Sequence, residues 1–245
     1  MDHNEAIQHN QTGLIDRFRK YLGEFVYGGI DGSVTTFAVV AGAVGANLDS
    51  AVILILGFAN LLADGFSMSV GAYLSNKSEL DNFRRHEKIE YWEVEHLPEM
   101  ERNEVREIFA AKGFEGELLE KVVDVICSDR DRWVDTMMKE ELGMMKEERS
   151  PFKIGLVTFL AFLAVGLIPL LVYVWDFIAG FPGNLFLTAS LLTASAFGVI
   201  GFLKTYVTET SRWRGILETL ALGVIAAAVS YFVGDFLEHL IRNAS

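Results

Sequence analysis

The sequence predicts an all-α, polytopic membrane protein with five transmembrane helices and a cytosolic helical insertion between spans two and three. Three observations predict it. Apolar residues, 51% of the 245, come in blocks of spanning length, and about 20 such residues cross a ~30 Å hydrocarbon core. A charged stretch, 77–150, separates the second block from the third, with few glycines or prolines in it. Basic residues gather in alternate connections, as the positive-inside rule expects of a chain that crosses five times.

The first segment, 1–24, reads as a cytosolic or amphipathic N-terminal stretch without a signal-peptide pattern. Leu14, Phe18 and Leu22 share one helix face, with Arg17, Arg19 and Lys20 on the other. That pattern suits an interfacial anchor and ordinary juxtamembrane sequence equally. Spans one and two occupy 25–76, as blocks 25–48 and 51–76. Each contains a single charge, Asp31 in the first and Asp64 in the second. A charge at mid-membrane costs roughly 2.5–3.5 kcal/mol on insertion scales, so such residues face a partner, an ion or a polar path.

The insertion 77–150 holds 21 acidic and 13 basic side chains, −8 of the chain's net −12. No glycine or proline interrupts Ala72 to Leu97, so the second span is expected to continue as one helix, 51–96. Pro98 suits the first turn of the next helix, and Gly113 its C-terminal cap. Further helices are expected over Glu115–Cys127 and Asp129–Met145. Glu90 and Glu93 are three apart, as are Glu101 and Glu104, while Met137 and Glu141 are four apart. Each pair shares a helix face, and like charges there destabilise a bare helix. Spacing alone leaves two readings open, a solvated acidic face and a site that takes a counter-cation.

Spans three to five occupy 151–240, as blocks 154–175, 184–203 and 213–236, followed by a tail, 241–245. The third and fourth blocks are uncharged; the fifth carries Glu218 and Asp235. Arg17, Arg19 and Lys20, the insertion, and Lys204, Arg212 and Arg214 all fall on one side of such a layout, which predicts that side as cytosolic. The negative balance argues against nucleic acid. One cysteine, Cys127, leaves no internal disulfide. No nucleophile with a base, phosphate loop or cofactor fingerprint is evident, and Glu93 with His96 is a single Glu-x-x-His where a di-iron bundle needs two. The expectation is therefore no enzyme and no tightly bound cofactor.

The stretches IDGSVTTFAVVAGAVGA, FANLLADGFSMSVGAYLSNKSE and WVDTMMKEELGM resemble the vacuolar iron transporter family, from about residue 20 to 240, in the form of a prokaryotic-type member. The resemblance implies a homodimer that exports Fe2+, and often Mn2+ or related ions such as Co2+ and Zn2+, against protons. It implies a plasma membrane in a prokaryote and a vacuolar membrane in a eukaryote. The family's membrane aspartate falls on Asp31 and its second-span methionine on Met68. Its metal-binding glutamates fall on Glu90, Glu93, Glu101 and Glu104, and its last cytosolic helix contributes Met137 and Glu141. One position departs. Where the plant proteins carry a glutamate, this chain has Asn60, with Asp64 one turn on.

Asn60, Asp64 and Met68 stand at i, i+4 and i+8, one helix face. With Asp31 they offer carboxylates, an amide oxygen and a thioether, a set that suits a first-row transition ion better than Mg2+ or Ca2+. The bland alternatives are packing for Met68 and helix–helix hydrogen bonds for the aspartates. Two rival functions remain at this stage, a Mn2+-selective exporter and a membrane-anchored metal-sensing or interaction protein. Gly28 with Gly32, and Ala38, Gly42 and Ala46, are small residues at four-residue spacing, suited to a dimer seam or to packing within one subunit.

Overall fold

A computed structural model describes residues 19–244. Leu14, Arg17 and Phe18 of the expected amphipathic segment lie outside them. Nine α-helices and one 3₁₀ turn make up the elements defined among the described residues. Five helices are long and apolar enough to cross a membrane, in the order the apolar blocks predict. The chain divides into two compact units, one of residues Leu74–Glu148 and one of the residues on either side.

In the bundle unit, α1 is Leu22–Gly45 and α2 is Ser50–His96, which continues into the other unit. No breaker lies between residues 72 and 97, so nothing local ends α2 where its apolar stretch stops. The third span is not one continuous helix. It runs as α6 (Pro151–Gly166), a 3₁₀ turn (Ile168–Leu170) and α7 (Leu171–Ala179). Pro169 has no N–H to donate and crowds the preceding turn, which tightens the helix there. Next come α8 (Leu185–Thr208), capped by the Asn184 side chain, which accepts from the Leu187 N–H at 2.8 Å, and α9 (Arg212–Ala244).

Helix α1 packs on α6, α8 and α9, and half of its residues are buried. Its glycines permit this. A Cβ at Gly28 would stand 2.6 Å from the Thr158 carbonyl oxygen, and one at Gly32 would meet the Phe162 backbone. Gly42 packs on Ser230 of α9. These small residues therefore serve packing within the chain. The outer faces present Ile55, Leu62, Phe66, Leu160, Leu191, Val224 and Phe236 as exposed side chains, as a lipid-facing surface requires.

In the second unit, the end of α2 is followed by α3 (Pro98–Ala111), α4 (Gly116–Cys127) and α5 (Arg130–Glu140). Val94, Val105, Val123, Ile126, Trp133, Val134, Met137 and Met138 form its core. Gly113, at φ 92°, follows the end of α3. Helix α5 stops short of the expected Met145. Gly143 adopts φ 62°, and the Glu141 and Leu142 N–H groups both turn back to the Met137 carbonyl. A left-handed glycine of this kind closes a helix.

Candidate metal sites

The first set of candidates lies in the bundle, where contacts between α1, α2 and α6 fix their depth. Along α2 and the third span the contacts run in order: Ser69 with Gly155, Gly65 with Phe162, Leu61 with Gly166, and Gly57 with Leu170 of the 3₁₀ turn. The first is anchored by the Ser69 hydroxyl, which donates to the Gly155 carbonyl at 2.8 Å. Along α1, Gly28 meets Thr158 and Gly32 meets Phe162. Asp31, beside Gly32, and Asp64, beside Gly65, therefore lie at the level of Phe162. The two carboxylates are close enough to interact electrostatically. Both are half-buried, and neither is paired with a basic side chain among the described residues.

Asn60 sits one turn from Asp64, and its buried Nδ2 has no hydrogen-bond partner among the described residues. Met68, one turn the other way, is partly buried and packs against the apolar core that includes Phe162. Its thioether has both a packing role and a place on the Asp64 face. The sequence reading passed over Glu24. It pairs with Arg149 at 2.5 Å, and its buried Oε2 has no partner among the described residues. The signal was present, since Glu24 and Asp31 are seven apart and share a helix face.

The second set lies in the helical unit. The end of α2 supplies Glu90 and Glu93, α3 supplies Glu101 and Glu104, and Glu141 follows α5. Glu90 is 4% exposed and Glu101 1%. One carboxylate oxygen of each is buried without a partner among the described residues. Burial, followed by repulsion from Glu141, Glu93 and Glu104, pushes the Glu90 carboxyl up to about 7. Burial, followed by Glu104, Glu90, Glu93 and Glu141, pushes Glu101 up to about 7 as well. Glu141, at the exposed edge, is raised by partial desolvation and by Glu104 and Glu93. All five sequence-predicted glutamates are thus brought within mutual electrostatic reach.

Cations do not relieve this crowding. Arg102 pairs with Asp124, Arg106 with Glu120, Lys112 with Glu140 and Arg130 with Glu95. None of the five carboxylates is ion-paired among the described residues. Met137 is fully buried in the core one turn before Glu141. As the side chains stand, no three His, Cys, Asp or Glu among the described residues close around a single point at metal-ligand spacing. The set is a field of crowded carboxylates rather than a finished cage, with a donor inventory of oxygens and one thioether.

The VIT family profile matches residues 22–235, from the first residue of α1 into α9. The chain belongs to the VIT family. Both candidate sets fall within the matched VIT residues. A protein named vacuolar iron transporter from Toxoplasma gondii is 36% identical over 228 residues, covering 90% of this chain and 76% of that one. Vacuolar iron transporter 1 of Eucalyptus grandis is 33% identical over 230 residues, 94% of this chain and 88% of the relative. Vacuolar iron transporter 1 of Arabidopsis thaliana is 31% identical over 240 residues, with 98% and 92% covered. Membership and the five apolar helices together make this a membrane protein.

Proposed function

We propose that the chain transports Fe2+ out of the cytosol in exchange for protons, through the bundle at Asp31 and Asp64. One observation carries the reading. Two carboxylates from different span helices stand at one depth without a basic partner among the described residues. Apolar surroundings make such a pair costly unless a cation or protons neutralise it. A divalent ion and two protons carry the same charge, so one can replace the other at this pair. Iron as cargo comes from the names of the relatives. Asn60 oxygen and Met68 sulfur complete a weak, mixed donor set that also accepts Mn2+, Co2+ and Zn2+ and can let the ion go.

The helical unit lies on the cytosolic side in this reading, because the basic connections mark that side. Glu90, Glu93, Glu101, Glu104, Met137 and Glu141 collect the metal there, holding more than one ion. The working protein is a homodimer, in the vacuolar membrane of a eukaryote or the plasma membrane of a prokaryote. The deciding experiment reconstitutes the full chain in liposomes and follows Fe2+, Mn2+, Co2+ and Zn2+ in turn, with internal pH recorded. The reading expects Fe2+ flux coupled to proton movement and lost in Asp31→Ala. Flux that ignores a pH gradient and moves no protons would remove the antiport; flux that survives Asp31→Ala would remove the path.

A further inference from the structure

At the end of the bundle where α1 begins and α8 ends, the chain leaves a cleft of about 510 Å³. Arg19, Lys20 and Gly23 line it from the start of α1, Tyr206 and Glu209 from the end of α8, and Arg149 from the approach to α6. A Cβ at Gly23 would meet only Val207, at 3.9 Å, among the described residues, and one at Gly29 would stand 3.2 Å from Ile200. The two helices therefore run antiparallel, and the missing side chain of Gly23 leaves room between them. Two acids share these surroundings. Glu24 pairs with Arg149 at 2.5 Å, and Glu209, at φ 52° just after α8, lines the cleft itself. Lys153, Arg212 and Arg214 add positive charge at the same end, in the first turns of α6 and α9.

The aromatic residues of this end place the cleft at headgroup depth. Tyr206 is 55% exposed and Trp213 75%, and such side chains gather where hydrocarbon meets water. The Tyr206 ring packs edge-on against Phe202, with centroids 5.4 Å apart. Deeper along α8, exposed Val199 stands seven residues before Tyr206 and so on the same helix face. A basic cleft at the interface thus continues into an apolar strip facing the hydrocarbon. The basic connections mark this side as cytosolic, the side on which anionic lipids gather.

We propose that this cleft binds the headgroup of an anionic glycerophospholipid, with its phosphodiester against Arg19, Lys20 and Arg149 and an acyl chain along α8 at Val199. The proposal lies beyond the transport reading and does not depend on it. Basic pockets between span helices at the cytoplasmic face suit such headgroups. Inorganic phosphate offers the same phosphate chemistry, and Glu209 decides between the two sources. Its carboxylate repels a phosphate dianion, whereas it accepts hydrogen bonds from the hydroxyls of a glycerol headgroup.

The test titrates the full-length protein in detergent micelles with phosphatidylglycerol, phosphatidylcholine and inorganic phosphate, and reads bound lipid by native mass spectrometry. Phosphatidylglycerol is expected to bind at least about tenfold more tightly than phosphatidylcholine. Arg19→Gln with Lys20→Gln is expected to weaken it about thirtyfold, because each basic side chain beside an anionic lipid contributes about fivefold. Both side chains are exposed, so the thermal midpoint without lipid is expected to hold. Gly23→Leu keeps every charge and fills the cleft, and it too is expected to weaken binding; it carries the test should the double variant unfold. Arg212→Gln with Arg214→Gln removes equal charge outside the cleft and is expected to leave binding unchanged. Equal binding of the two lipids overturns the proposal, as does wild-type affinity in Gly23→Leu or in a folded Arg19→Gln with Lys20→Gln. An equal loss in Arg212→Gln with Arg214→Gln overturns it in favour of a diffuse surface field, and displacement of the lipid by inorganic phosphate at equal concentration overturns it in favour of a free anion.

Discussion

The bundle and the helical unit each hold carboxylates without cations, in opposite surroundings. In the bundle the candidate pair is Asp31 and Asp64, half-buried at one level between apolar helices. In the helical unit the candidates are five glutamates, of which Glu90 and Glu101 are almost wholly buried. A carboxylate pair between apolar helices can be neutralised by one divalent ion and can release it. In the proposed reading, the five crowded glutamates take up several charges at once and hold them longer. The contrast separates passage from storage.

The largest effect expected is at Asp31. Asp31→Ala should bring Fe2+ flux to the liposome background while metal binding by the helical unit stays intact, measured by equilibrium dialysis of the same preparation. Glu90→Gln with Glu101→Gln should do the reverse, weakening binding while flux at saturating metal persists. If both variants abolish both properties, the two sites do not work separately.

The second effect is on stability. Glu90 and Glu101 titrate at about 7 in the fold against 4.5 for the ordinary carboxyl. The folded chain therefore keeps protons that the unfolded chain has lost between those values. Stability of the unit is greatest below about 4.5 and falls as pH rises to about 7, by at most roughly 3 kcal/mol for each of the two carboxyls taken alone. Hydrogen exchange over residues 74–148 of the full chain, corrected for intrinsic rates, should show weaker protection at pH 8 than at pH 5. Added Mn2+ should restore it. Glu101→Gln should flatten the pH dependence, and an unchanged slope would show that burial is not the cause.

The smallest effects sharpen the role of sulfur. Met137→Leu keeps the buried volume and should cost under about 1.5 kcal/mol. Met137→Ala opens a cavity and should cost about 2–5 kcal/mol. A tenfold loss of metal affinity in Met137→Leu, with the unit's thermal midpoint nearly unchanged, would assign the thioether to the metal. Met68→Leu asks the same of the bundle through Fe2+ flux. Wild-type behaviour in both would leave the two methionines as packing residues.

Much of the site was legible before the fold. Asp31 and Asp64 stand out because each is the only charge in a span, and the glutamate pairs declare a shared helix face by spacing. What spacing could not show was which acids are buried. Glu90 and Glu93 look alike as letters, yet only Glu90 is buried. Glu24 escaped because it precedes the uncharged run, although its partner Arg149 is 125 residues away.

The helix boundaries divide in the same way. Sequence by itself determined the five apolar helices, the long α2 that has no breaker, and the stops at Pro98 and Gly113, because hydrophobic length and backbone chemistry act locally. It also determined the family, through motifs that need no coordinates. Tertiary structure alone decided the common depth of Asp31 and Asp64 and the convergence of five glutamates from three parts of the chain. Those depend on how helices pack past one another, and electrostatic crowding and burial exist only between residues that folding brings together.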